Sequence, residues 1–232
     1  MDIFYNAIFN NDLDKVKSFL ERGIELNYSD NYGRIPIMNA IYYDTYTRSN
    51  DKIIKEFLDH GADINIIDEY LHTPLMKTVL YSNTKLCELL LQNNANIEVK
   101  DRYGHSALMK AVIFSDINII KILLKYGANI DTIDNYNITP LKRAILYSHK
   151  PVIKFLLENG ADIKGIIKFT QNSFGNDTQK IINLILHEEK KRLQIIYNNN
   201  INILMKNIIK KEFMKCNNIL DDDVRQYIIE FV

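Results

Sequence analysis

The chain has 232 residues, 47% of them hydrophobic, which is enough to bury a core, and 29 basic residues balance 29 acidic ones. Zero formal charge excludes the broad basic field that gathers nucleic acid, so no nucleic-acid partner is expected. Only two cysteines, Cys87 and Cys216, lie far apart in a Lys-rich chain, no apolar run nears the roughly 20 residues that span a bilayer, and the acidic start MDIFYNAIFNNDLDKV lacks a signal peptide's basic and apolar regions; a soluble, cytoplasmic protein that does not use a membrane is expected.

In chain order, residues 1–29 form a two-helix cap, aligned on Ala7, which stands 33 residues before Ala40. Four related segments follow: DNYGRIPIMNAIYY from Asp30, DEYLHTPLMKTVLY from Asp68, DRYGHSALMKAVIF from Asp101 and DNYNITPLKRAILY from Asp134, in steps of 38, 33 and 33 residues. A second signature keeps the same phase, with RGIELN, HGADIN, NNANIE, YGANID and NGADIK centred on Gly23, Gly61, Asn94, Gly127 and Gly160. Two signatures in register over four copies define repeats at 30–67, 68–100, 101–133 and 134–164. The longer first step puts five additional residues in YDTYTRSND, about Asp44–Asp51, expected as a polar loop.

Each repeat reads as a helix pair. Thr73-Pro74 and Thr139-Pro140 start the first helix, because Thr caps free N–H groups and Pro suits the first turn. Ala40, Thr78, Ala111 and Ala144 are small enough for neighbouring helices to approach closely, while Leu89-Leu90, Leu123-Leu124 and Leu156-Leu157 supply the second helix's buried face. Gly61, Gly127 and Gly160 accept the left-handed conformation that ends it, and Asn94 is the best substitute for Gly there. No repeat buries its own apolar face, so neighbours stabilise one another.

The pattern resembles the ankyrin repeat, D-x-x-G-x-T-P-L-H-x-A followed by a helix ending L-L-x-x-G-A, over about residues 1–164. Ala107 replaces the third copy's proline, and Met or Lys replaces the usual His. The resemblance implies an all-α solenoid of about five stacked helix-turn-helix repeats with hairpin tips, and a protein-binding concave face. Two aromatic columns fall on that face. Tyr32, Tyr70, Tyr103 and Tyr136 stand at the tips, where they either bind a partner or pack on adjacent fingers. Tyr43, Tyr81, Phe114 and Tyr147 stand at the far end of the first helix, as binding residues or as core. Lys77, Lys110, Lys142 and Arg143 accompany them, either as a stripe for an acidic partner or as solvated helix positions.

Past Ile163 the period fails. Residues 165–218 read as a degenerate repeat and capping helices, and 219–232 as a final helix. In NNILDDDVRQYIIEFV, Leu220, Asp223, Val224, Ile228 and Val232 fill the pattern L-P-x-E-[VI]-x-x-x-I-x-x-x-[LI] that opens an F-box, with Asp221 where Pro is usual. An ankyrin array ending this way resembles the poxvirus ankyrin proteins, whose truncated F-box-like (PRANC-type) motif implies docking to the host Skp adaptor of a cullin–RING ubiquitin ligase. The same apolar stripe also suits a helix that only caps the array. The five histidines, His60, His72, His105, His149 and His187, show no metal-ligand spacing. Cys87 reads as a packed thiol, and no Gly-rich phosphate loop is present, so neither catalysis, cofactor nor metal is expected. The function expected is a viral adaptor that captures a host protein, with a stand-alone masking module as the alternative.

Overall fold

The computed structural model describes residues 2–47 and 50–166, with 169, 183, 185–188, 190 and 191 beyond them. The described residues form helices and turns without a strand, as an all-α ankyrin-repeat solenoid requires. The chain divides into two compact units, residues 1–143 and 144–232.

In the first unit, α1 (Asp2–Phe9) pairs with α2 (Leu13–Glu21), α3 (Pro36–Thr47) with α4 (Asp51–Asp59), α5 (Pro74–Leu80) with α6 (Thr84–Gln92), and α7 (Ala107–Ile113) with α8 (Ile117–Lys125). The first helices stack in one layer, α1 on α3, α3 on α5 and α5 on α7, while α2 packs on α4 and α6 on α8. Ala40, Thr78 and Ala111 are fully buried in the first-helix layer, where a larger side chain would hold neighbouring backbones apart. The second-helix core is Ile53, Ile54 and Phe57 in α4, Leu86, Cys87 and Leu90 in α6, and Ile119, Ile120 and Leu123 in α8. Each Leu or Ile so buried contributes about 1.5–3 kcal/mol. The paired-leucine expectation holds for Leu156-Leu157 and needs correction in α6 and α8, where Leu89 and Leu124 are only half-buried. Three or four residues, not adjacent ones, separate positions on one helix face, so Leu86 and Leu90 point inward together.

The helix ends follow local rules. Thr73 Oγ1 accepts from Met76 N, and Ser106 Oγ accepts from Met109 N, so α7 starts without proline. Asn94 takes φ 63°, with Asn94 N donating to Leu91 O and Ala95 N to Leu90 O. That is the two-bond closure a glycine usually makes. At the finger tips the fourth residue is left-handed in every repeat, and in the second it is Leu71, at φ 61°. A bulky side chain there stores about 1–2 kcal/mol of backbone strain. Gly104 is irreplaceable for a different reason: a Cβ would sit 2.4 Å from Asn135 Oδ1 of the next finger.

Fingers are stitched in sequence. Asp63 N donates to Asn27 Oδ1 (2.6 Å), Asn96 N to Asn65 Oδ1 (2.8 Å) and Asn129 N to Glu98 Oε1 (2.7 Å). The first part of the inserted segment is not the loop expected. Asp44–Thr47 prolong α3 to 12 residues, against seven in α5 and α7. The extension is anchored by Asp44, whose carboxylate is buried and accepts from Asn50 N and from Asn83 Nδ2, each at 2.7 Å.

The second unit contains the end of α9 (Pro140–Leu146), a left-handed turn at Ser148, and α10 (Lys150–Glu158), which buries Val152, Ile153, Leu156 and Leu157. Its helix closes on Gly160 at φ 88°. The segments read as a degenerate repeat and a final helix, with Leu220, Asp223, Val224, Ile228 and Val232, lie largely or wholly outside the described residues.

Candidate protein-binding face

Every finger begins with an aspartate that organises its own turn. Asp101 Oδ1 accepts from Tyr103 N and His105 N at 2.9 Å, and Asp30, Asp68 and Asp134 repeat the pattern. The second carboxylate oxygen meets a cation nine residues on. Lys77 Nζ lies 2.6 Å from Asp68, Lys110 Nζ lies 2.6 Å from Asp101, and Arg143 pairs with Asp134. In the first repeat Asn39 occupies that position, and Arg34 pairs with Asp30 instead, at 2.7 Å.

Two histidines link these pairs across repeats. His72 stands 3.6 Å from Asp68 and 3.7 Å from Asp101, with Lys110 Nζ 3.0 Å from its Nε2. His105 stands 3.7 Å from both Asp101 and Asp134. Burial pushes the His72 imidazole below its ordinary value, and the Lys110 ammonium adds to that against the pull of Asp68 and Asp101. Burial does the same at His105, reinforced by Arg143 and Lys110 over Asp101 and Asp134. Burial also works against ionising Asp68, Asp101 and Asp134, but their cations and backbone N–H donors outweigh it and hold each carboxyl below its ordinary range.

This ladder corrects both readings of the basic residues. Lys77, Lys110 and Arg143 are neither a stripe free for an acidic partner nor solvated positions, because each is committed to its own finger's aspartate; Lys110 is only 7% exposed. His72 and His105 each stand between the aspartates of two successive fingers. Among the described residues no cluster of His, Cys, Asp and Glu is arranged to hold a metal ion. Cys87 is fully buried, and that burial pushes its thiol up to about 12, which suits packing rather than attack.

The aromatics at the first-helix ends differ in exposure. Of the column at the first-helix ends, Phe114 is 53% exposed, Tyr43 and Tyr81 are half-buried, and Tyr147, in the second unit, is exposed and stacks on His149 at 5.6 Å. Three residues outside that column complete a continuous ring cluster. Tyr42 lies 5.4 Å from Tyr43, 5.5 Å from Tyr46 and 5.5 Å from Tyr81, while Phe9 meets Tyr43 edge-on at 5.2 Å. Tyr46 is 66% exposed, and its hydroxyl lies 3.0 Å from that of Tyr42. Sequence reasoning missed Phe9, Tyr42 and Tyr46 because it followed one fixed offset from each aspartate. The signal was present in the run IYYDTYT, whose tyrosines at 42 and 46 share a helix face.

The tip tyrosines are mixed in environment. Tyr70 is stacked on His72 at 5.8 Å and covered by the guanidinium of Arg102 from the next finger at 4.7 Å. Tyr103 leans on His105 at 5.7 Å, and Arg34 lies over Tyr32 at 4.9 Å. All four tips are exposed, Tyr32 and Tyr136 the most.

No curated protein matches the chain. Residues 4–101 and 95–165 match the family described as ankyrin repeats (3 copies), well over half of the sequence. Those residues hold the paired helices, the aspartate-led fingers and the stitched turns just described. The chain belongs to the ankyrin-repeat family, whose members serve as protein-binding scaffolds.

Proposed function

We propose that this scaffold is a viral adaptor: its aromatic face captures a host protein, and its C-terminal segment carries the captured protein to a host cullin–RING ubiquitin ligase. The observation that supports capture is the cluster of touching rings formed by Phe9, Tyr42, Tyr43, Tyr46 and Tyr81, of which Phe9, Tyr42 and Tyr46 are exposed. Large rigid rings give contact area at small entropic cost. The ligase half of the reading rests on Leu220, Asp223, Val224, Ile228 and Val232, which resemble a truncated F-box and would dock the Skp adaptor subunit. Binding rather than bond-making is the mechanism, and the host cytoplasm is its place.

Deletion of residues 219–232 tests this. The shortened protein is expected to keep its helical circular dichroism and its thermal midpoint while losing the Skp subunit from a pull-down. A full-length protein that never retrieves that subunit, or a deletion that unfolds the array, would replace the adaptor with a stand-alone masking module whose last helix is a cap.

A further inference from the structure

At one joint of the ladder, an ammonium and an imidazole face the same carboxylate oxygen. Asp101 Oδ2 lies 2.6 Å from Lys110 Nζ and 3.7 Å from His72 Nε2, and those two nitrogens stand 3.0 Å apart. An ammonium has three donors and no lone pair, so the short contact requires Lys110 to donate and Nε2 to accept. The imidazole proton is thereby fixed on Nδ1, which stands 3.6 Å from Asp68 Oδ2.

The joint crosses repeats. Asp68 and His72 belong to the second finger, Asp101 to the third, and Lys110 to α7. The charged groups that face the His72 ring are Lys110, Asp68, Lys77 and Asp101. Lys77 is committed to Asp68 at 2.6 Å, and the Tyr70 ring stacks on the imidazole at 5.8 Å. Burial first and Lys110 second keep the imidazole neutral near pH 7.

With Nδ1 already protonated, a second proton enters the ring only at Nε2. There it takes the lone pair that Lys110 uses and sets two positive groups 3.0 Å apart. With little water between them, that repulsion is large, and both groups claim the same Asp101 oxygen. One must leave. The ring is the better held, because its new charge strengthens the pull of Asp68 at one edge and Asp101 at the other, with Tyr70 on its face. Lys110 is tied only through a flexible four-carbon stem, whose end can turn toward water.

His105 provides the contrast. Its two nitrogens lie 3.7 Å from Asp101 and from Asp134, and Nε2 is buried without a hydrogen-bond partner among the described residues. A proton arriving at Nε2 meets a carboxylate and breaks no existing bond of that nitrogen.

We propose that His72 and Lys110 form an acid-operated latch between the second and third fingers. On taking a solvent proton at Nε2, His72 expels the Lys110 ammonium from Asp101 and closes on that carboxylate itself, while the helices stay stacked. The joint gains one positive charge, and Lys110 exchanges a buried partner for water. The switch operates as the pH falls below 6.5, where the folded chain begins to protonate His72.

The test is NMR of the labelled, full-length protein from neutral to mildly acid solution, reading the His72 ring, the Lys110 ammonium and the backbone amides together. At neutral pH the His72 ring is expected to be the Nδ1–H tautomer, with a slowly exchanging Lys110 ammonium. As His72 titrates, exchange of that ammonium with water should rise by at least roughly tenfold at the same midpoint, with the amides of α5 and α7 still protected. The contact between the His72 and Tyr70 rings should persist. In His72→Gln, whose side-chain oxygen can still accept from Lys110 but does not titrate, the ammonium should stay protected through that window. The unsubstituted protein decides the matter even if this variant fails to fold. An Nε2–H tautomer at neutral pH, or a Lys110 ammonium indifferent to His72 titration, overturns the latch. So does loss of the Tyr70 contact with Lys110 still protected, which would make the ring the group that moves. Loss of amide protection throughout α5 and α7 in the same step would replace the latch with general unfolding.

Discussion

Lys110→Ala is expected to destabilise the array by about 3–5 kcal/mol, which is large for a charged residue on a first helix. A solvated lysine there would contribute under about 1 kcal/mol. The difference lies in the partner: Asp101 has a side chain with no exposure, and Lys110 Nζ, 2.6 Å away, supplies its counter-charge. Without the ammonium the buried carboxylate keeps only the His72 and His105 imidazoles at 3.7 Å, which burial holds toward the neutral form, while Tyr103 N and His105 N bind the other oxygen. Denaturant midpoints measure the loss. Lys77→Ala should cost less, because that pair is more open to water. Asp101→Asn keeps an acceptor for the turn and removes the charge, so combining it with Lys110→Met should recover much of what Lys110→Ala loses. A loss under about 1 kcal/mol for Lys110→Ala would mean that solvent screens the pair.

Acid should weaken the fold in two separate windows. His72 and His105 have folded values below the ordinary 6.5, so the unfolded chain takes up protons first as the pH drops. Their contribution is complete above the unfolded value and is lost as the pH falls from 6.5 through the folded value. Asp68, Asp101 and Asp134 are also depressed, below 3.8, so their contribution holds above that value and is lost only as the pH falls further. Urea midpoints collected from neutral to strongly acidic solution should therefore show two declining limbs. His72→Gln with His105→Gln should flatten the upper limb and spare the lower one. An upper limb that persists in that variant would assign it to groups outside the ladder.

The contrast between the ladder and the rest of the fold shows what a sequence reveals. Caps at Thr73 and Ser106, the left-handed Asn94 and the buried Ala40 and Ala111 depend on neighbours a few residues away or on the repeat period itself, so pattern alone finds them. The Asp–Lys pairs are different. Residues nine apart are neighbours on neither a helix nor a strand, and Asp101 meets Lys110 only because the finger folds back over the first helix. The recurrence of Lys77, Lys110 and Arg143 in step with Asp68, Asp101 and Asp134 was the available clue. The inserted segment misled for a related reason. Its polar composition reads as a loop, whereas Asp44, in its helical part, accepts from Asn83, 39 residues along the chain. That extension carries Tyr46 into contact with Tyr42, so this member of the ring cluster was hidden with it.

The face itself is tested most directly by capture. Crosslinked pull-downs from cell extract with the intact protein and with Tyr81→Ala plus Phe114→Ala, read beside thermal midpoints, separate recognition from folding. The expected result is loss of the captured protein with a midpoint within a few degrees of the parent, since Phe114 is 53% exposed and Tyr81 lies at the end of α5. Undiminished capture, or a collapse of the midpoint, would contradict the assignment of these rings to a binding surface.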